Sequence, residues 1–176
     1  MTSITADRLD AATRRRFNRA HISRRDFAKA IGFIKAAADH PQDSPEYEAL
    51  LLAAIIAYAR PFSPNERDKS ARSDARLDVD VRHVLGSDSA LHARLVEIRN
   101  KAVAHSEFAY YPVESMPGSS RYAEGSHGFV SVSRNWHVVN EQIDLTAFER
   151  IANALCVKCT NDLFDIDFAG IIKRKP

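Results

Sequence analysis

The segment from Glu46 to Arg60 constrains the fold most, because a helix there is apolar on nearly every side. Ser44 offers an N-cap, and Pro45 takes the first helical position, where its missing N–H costs nothing. A helix that is hydrophobic all round has to be covered by several neighbouring elements. The segment therefore predicts a buried helix that packs against other helices of the chain, with a second subunit left open as a further packing partner. The large apolar residues are Leu50, Leu51, Leu52, Ile55 and Ile56.

Three further segments have the apolar spacing of helices that bury one face. Ser23 is the expected N-cap of the first, and the run from Thr146 to Glu149 is a capping-box pattern that opens the last. Together with the buried segment, they predict a mainly α protein, a four-helix up-down bundle that covers roughly residues 24–168. The three segments span residues 23–39, 88–107 and 146–168.

The spacing of apolar residues changes between the third and fourth predicted helices. Residues 129–133 (FVSVS) alternate apolar and polar side chains, and residues 136–139 (WHVV) run mostly apolar. Arg134 and Asn135 lie between them as a turn, and residues 116–128 are rich in Gly, Ser and Pro. The sequence therefore predicts a small β-hairpin insertion within residues 108–142.

The length of the chain indicates one domain, and the distribution of charge indicates a basic N-terminal segment. A chain of 176 residues suits a single domain, residues 1–176, that buries a sizeable core. The formal net charge is only +2, yet seven arginines fall within the first 25 residues. We interpret residues 1–22 as a basic N-terminal arm that touches phosphates, or else as a solvated, frayed terminus.

The chain has no apolar run of the ~20 residues that a membrane span needs and no secretory signal pattern. We therefore expect a cytoplasmic protein without a membrane partner. Cys156 and Cys159 are spaced C-V-K-C, but no second pair of ligands accompanies them, and two reduced thiols on a helix are the expected state. No Gly-rich phosphate loop or helical histidine pair is present, so we expect no cofactor and no metal.

The third predicted helix combines a core face with two residues that suit phosphate chemistry. Arg99 lies at the edge of its apolar stripe, and His105 continues the stripe where a core leucine is expected. Both side chains could face one groove, because the helical rise between them is only about 9 Å. The stripe consists of Leu91, Leu95, Ile98 and Ala102, at spacings of four, three and four.

The run Arg99-Asn100-Lys101-Ala102-Val103-Ala104-His105 resembles the motif of the HEPN superfamily, the higher-eukaryote and prokaryote nucleotide-binding domains. In that motif an arginine, often followed by a polar residue, precedes a histidine by a few positions. The pattern R-N-K-x-x-A-H is similar to that of the abortive-infection type-U branch. The specific match is confined to residues 99–105, whereas the helical pattern covers residues 24–168. The resemblance implies a helical bundle, metal-independent RNA cleavage in host defence or toxin–antitoxin systems, and a homodimer whose two motif helices face each other.

The chemistry of RNA cleavage fits these residue types. The 2′-hydroxyl of RNA can act as the nucleophile, so the protein has to move protons and stabilise a doubly charged phosphorane. Histidine suits the proton transfer, and the two parallel donors of arginine suit the phosphoryl oxygens. The resemblance assigns transition-state charge to Arg99, general acid/base catalysis to His105 and positioning to Asn100. Lys101 and Arg60 are candidates for phosphate contacts, with a surface lysine and a helix-end arginine as the alternatives.

Other interpretations stay open at the level of sequence. His105 could instead bond the last carbonyls of its helix, and Arg99 could pair with Glu97 of a partner chain or with Asp167. A non-catalytic HEPN module would bind RNA, a nucleotide or a protein partner through the same cleft. An antitoxin is a further expected partner of a toxin. A DNA-binding regulator that uses the basic residues 1–25 is the third hypothesis.

Overall fold

The computed structural model describes residues 10–63, 76–103, 113–119, 127–133 and 137–172. This part of the chain is mainly helical, as predicted, and four of its α-helices are longer than two turns. None of the described helices is long and apolar enough to cross a membrane. In chain order the helices are α1 (Ala11–Ala38), α2 (Pro45–Ala59), α3 (Val81–Leu85), α4 (Ser89–Ile98) and α5 (Leu145–Ile172).

The first helix begins twelve residues before the expected N-cap. Asp10 caps α1, because its carboxylate accepts the backbone N–H of Thr13 at 2.9 Å and the Thr13 hydroxyl at 2.7 Å. Ser23 is fully buried inside the helix, so its assignment as the N-cap is wrong. Residues 11–22 of the basic arm predicted for residues 1–22 belong to this helix, and residues 1–9 lie outside the described part, so phosphate contact by the arm stays a prediction. Ala20 extends the core face of α1 beyond Ser23, and burial of that face explains the longer helix.

Helix α2 is the buried helix that its sequence predicts. It packs against α1 and α4, and Leu51, Ile55 and Tyr58 are almost completely inaccessible to solvent. A 3-10 turn, Arg60–Phe62, ends it at Pro61. Because α1 also packs along α5, one core lies between the long helices. Further core residues are Phe27, Ile34, Leu95, Ile98, Phe148, Ile151 and Leu155.

The third predicted helix is interrupted within the motif. Helix α4 ends at Ile98, and Arg99–Val103 form a π-helical turn. The expected continuous α-helix over residues 88–107 is therefore wrong from Arg99 to Val103, and residues 104–107 lie outside the described part. Before α4, the short helix α3 ends at Gly86, whose φ of 54° favours glycine.

Two antiparallel strands lie between α4 and α5 in the chain. In β1 (Val113–Ser119) and β2 (His127–Ser133), Val113 pairs with Ser133 and Ser119 pairs with His127. They fall inside the segment 108–142 for which the sequence predicts an insertion.

The pairing of these strands differs from the predicted one, in which residues 129–133 pair with residues 136–139 across a turn at Arg134 and Asn135. Strand β2 pairs instead with residues 113–119, and Val138 and Val139 lie in a 3-10 turn, Val138–Glu141. The connection 120–126 is outside the described residues, so the predicted insertion as a whole stays a prediction.

Helix α5 opens close to the predicted position but with a different cap. Asp144 accepts the backbone N–H groups of Thr146 and Ala147 at 2.9 and 3.1 Å. The carboxylate of Asp144 therefore caps the helix, two residues before Thr146, the cap that the sequence predicts. A 3-10 turn, Val138–Glu141, precedes the cap and packs on α2.

We predict that truncation of Leu155 destabilises the fold far more than truncation of its exposed neighbour. Leu155 is fully buried on α5, so Leu155→Ala should lower the free energy of unfolding by about 2–5 kcal/mol. Val157 is 58% exposed on the same helix, and Val157→Ala should change it by no more than about 0.5 kcal/mol. Urea denaturation of both variants checks this, and similar losses would mean that this face of α5 is not the core.

Candidate functional site

The π turn holds the first residues of the motif in a fixed arrangement. Arg99 and Asn100 are both half-buried, and Arg99 Nη1 donates a hydrogen bond to Asn100 Oδ1 at 2.9 Å. That bond uses one of the five donors of the guanidinium group. Single π turns are rare in helices and are frequent at functional sites. The turn thus joins the two residues to which the resemblance assigns phosphate contact and positioning.

His105 lies outside the described residues, which stop at Val103 in this segment. Its predicted place on the core stripe assumed about 100° per residue as far as residue 107. Leu95 and Ile98 are fully buried, so the stripe is confirmed up to the end of α4. The π turn adds a residue to the next turn of helix, and the same angle no longer applies beyond it. The catalytic role and the orientation of His105 stay predictions.

Lys101 belongs to a network of charges along the exposed side of α4. Its Nζ lies 3.2 Å from Glu97 Oε1, and Arg94 Nη1 lies 3.1 Å from Glu97 Oε2. Hydrogen bonds from Lys101 and then Arg94 hold the pKa of Glu97 below its usual value. Arg94 also pairs with Glu141, which ties α4 to the 3-10 turn before α5. Within the described chain, Glu97 thus pairs with these two cations, and a phosphate contact of Lys101 stays a prediction.

Arg60 forms an ion pair with a buried carboxylate. Arg60 Nη1 donates to Asp26 Oδ1 at 2.9 Å, and the side chain of Asp26 is only 6% exposed. Since an unpaired carboxylate is costly to bury, Arg60 stabilises the contact between the end of α2 and the middle of α1. Arg60 therefore has a specific partner, Asp26, in the structural role at the helix end that was the alternative to phosphate contact.

That Arg60 reaches the Arg99 cleft stays a prediction. Tyr58 near the end of α2 bonds His92 near the start of α4, and the π turn that begins at Arg99 also contacts α2. Seven residues separate His92 from Arg99, a helical rise of about 10 Å.

The pair formed by buried Tyr58 and half-buried His92 is the feature that sequence reasoning missed. The Tyr58 hydroxyl lies 2.9 Å from His92 Nδ1, and the His92 ring meets Phe62 edge-on at 4.5 Å between ring centroids. Burial raises the pKa of Tyr58, so the phenol keeps its proton, and the tautomer of His92 sets which of the two groups donates. Burial also lowers the pKa of His92. A tyrosine within an otherwise apolar buried helix needs a polar partner, which is the signal that could have pointed to this pair.

His92 also shares a helix face with the motif. Seven residues separate His92 from Arg99, close to two full turns, so both side chains start from the same side of α4. The described chain therefore carries one histidine on the Arg99 face, although His92 is engaged by Tyr58.

The described residues hold no group of three His, Cys, Asp or Glu side chains that could bind a metal ion. Cys156 and Cys159 are free thiols on α5. Burial raises the pKa of Cys159 to about 12, and burial also raises the pKa of Cys156. Both thiols therefore stay protonated at neutral pH and make poor nucleophiles.

We predict that His92 makes the fold less stable as the pH falls below about 6.5. The unfolded chain takes up a proton near that pH, whereas folded His92, with its lowered pKa, resists protonation, so stability present above this pH is lost in acid. His92→Asn keeps an acceptor near the Nδ1 position and should flatten the pH dependence between pH 7 and about 5.5. Urea denaturation across this range measures the effect. His83→Asn on α3, an exposed position, should retain the wild-type dependence, and an unchanged dependence in His92→Asn would contradict the assignment.

We predict that Arg60→Ala lowers the free energy of unfolding by about 1–3 kcal/mol, because it leaves the Asp26 carboxylate buried without its cation. Lys35→Ala is the matched control. It removes an ion pair with Glu149 in which the lysine side chain is 65% exposed, and it should cost less than about 1 kcal/mol. Chemical denaturation compares the two, and equal small losses would show that the Arg60 pair does not support the fold.

Comparisons with known proteins identify no relative. No protein-family model matches the chain, no curated protein matches it, and no solved structure matches it.

Proposed function

We propose that the chain is a metal-independent RNA endonuclease of a defence or toxin–antitoxin system, which cleaves through the 2′-hydroxyl of its substrate. The observation that supports this best is the π turn, where Arg99 donates a hydrogen bond to Asn100 at 2.9 Å. This bond fixes the guanidinium group relative to the helix before any substrate is bound. Preorganised donors of this kind stabilise charge that develops in a transition state.

Each motif residue has one role in this mechanism. Arg99 holds two nonbridging oxygens of the phosphorane with parallel N–H groups. Asn100 accepts from Arg99 and keeps the guanidinium aimed at the phosphate. His105 removes the proton of the 2′-hydroxyl and, as imidazolium, delivers a proton to the 5′-oxygen, which leaves as the 2′,3′-cyclic phosphate forms. No step in this scheme needs a metal ion.

The proposed active form is a homodimer in the cytoplasm. One chain supplies one Arg99 and one His105, and a two-fold axis along the motif would gather two of each in a single cleft. The predicted insertion, residues 108–142, follows His105 after two residues and would border that cleft. An antitoxin protein that covers this cleft would block the enzyme.

A non-catalytic HEPN module that binds RNA, a nucleotide or a protein partner is the second candidate. It is favoured by the side chains of the turn itself, since Arg99, Asn100 and Lys101 all carry N–H donors that suit an anion. Both candidates use the same cleft, and only the enzyme requires His105 to transfer a proton.

We predict that the wild-type protein cleaves single-stranded RNA in the presence of EDTA and that the motif variants lose this activity. Arg99→Ala should lower the rate by about 10²–10³-fold and His105→Ala by about 10²–10⁴-fold. Asn100→Ala should have a smaller effect, because it removes a positioning bond and not a charge. Gel analysis of an end-labelled RNA measures the rates and identifies the cyclic phosphate.

The controls remove the same residue types elsewhere. Arg82→Ala and His83→Ala change two exposed side chains of α3 and should cleave like the wild type. RNA with 2′-O-methyl groups should resist cleavage, because it lacks the nucleophile. Equal background cleavage by all variants would reject the enzyme in favour of the binding module, and loss of folding or of the dimer in His105→Ala would make that histidine structural.

A further inference from the structure

A second basic site lies between α1, the segment before α3, and α5. A cavity of about 220 Å³ opens there. Five cationic side chains line it, together with the carboxylates of Asp78 and Asp162. The cationic residues are Arg15, Arg16, Arg19, Arg76 and Lys158.

Secondary structure and one backbone bond bring these side chains together. Arg15 and Arg19 lie one turn apart on α1, which packs along α5 and so faces Lys158. Leu77 N donates to the carbonyl of Pro61 at 2.8 Å, and the half-buried Leu77 side chain packs against the core. This anchor places Arg76 at the mouth of the cavity. The basic wall is therefore built from ordered elements and is set before a ligand arrives.

The charges of the described lining residues do not balance. Lys158 pairs with Asp162, which removes one charge of each sign. Apart from Arg15, the described lining then retains the guanidinium groups of Arg16, Arg19 and Arg76 and the carboxylate of Asp78. Like charges this close repel one another, and an anion among them lowers the electrostatic energy. Arginine forks match phosphate oxygens in geometry as well as in charge.

We propose that this cavity binds a phosphate group. Its volume is below the roughly 300–1,000 Å³ of pockets that enclose whole small-molecule ligands. It therefore suits one phosphate or a diphosphate, with the rest of the ligand outside. The same oxygens can come from the backbone of an RNA strand or from the diphosphate of a free nucleotide. The site is independent of the Arg99 motif and of cleavage.

Two probes test the site and separate the two sources. Inorganic pyrophosphate represents the free diphosphate, and a short 2′-O-methyl RNA represents the strand without being a substrate for cleavage. Calorimetric titration compares the wild-type protein with Arg16→Gln/Arg19→Gln. The matched control is Arg25→Gln/Lys29→Gln, which removes the same charge from exposed positions of α1 outside the cavity. Thermal unfolding verifies that all variants fold.

The cavity variant should bind pyrophosphate at least about tenfold more weakly than the wild type, and the control should bind it unchanged. If its affinity for the RNA probe falls as well, with a shallower dependence on salt, the phosphate comes from an RNA strand. If only pyrophosphate binding falls, the ligand is a free phosphorylated molecule. Failure of the wild type to bind either probe, or equal losses in the cavity variant and the control, would overturn the proposal. None of these results depends on whether the protein cleaves RNA.

Discussion

The architecture depends on the burial of Tyr58, which touches one residue from each of the other long helices. Its ring packs against Phe27 of α1 and meets Phe148 of α5 edge-on, and its hydroxyl bonds His92 of α4. Burial of the aromatic ring supplies most of the stabilisation around Tyr58, whereas the hydroxyl group needs a hydrogen-bond partner in a defined direction. The same residue therefore holds four helices together and sets the position of α4. Since Arg99 directly follows α4, the placement of the motif derives from this contact.

Apolar spacing in the sequence predicts the long helices well, because burial of one face repeats with the helix period. Helix α2 is the clearest case, and the stripe through Leu95 and Ile98 is equally reliable as far as the end of α4. The start of α1 was not predictable in this way. Both Asp10 and Ser23 are good caps locally, and the choice between them depends on whether the turns in between are buried against other elements. Helix ends are set by the tertiary structure as much as by the local sequence.

The candidate site was predicted only in part, for reasons that differ from residue to residue. The adjacency of Arg99 and Asn100 is visible in the sequence, but their hydrogen bond is not, because it requires a π turn whose residues look like those of an α-helix. Arg60 illustrates a second limit. Its partner, Asp26, lies 34 positions away, as does the partner of Tyr58, and no local pattern predicts contacts at that separation. Single-sequence reasoning thus identifies residue types that suit phosphate chemistry, whereas packing decides which are engaged elsewhere.

The π turn also has a consequence for how the chain can change. A turn closed by an i to i+5 bond contains one residue more than a turn of α-helix, so the chain leaves Val103 rotated by about 100° from the direction that an unbroken α4 would give. The position of the core stripe of α4 therefore does not determine the orientation of the residues that follow the turn. Conversion of the π turn to α-helix at unchanged length would turn everything beyond it by that angle, while Leu95 and Ile98 kept their places in the core. Loss of one residue between Arg99 and Val103 would instead remove the extra residue and leave the direction of the following chain as it is. A change of helix type within five residues, without a change of length, would thus redirect the second half of the motif without unfolding the bundle.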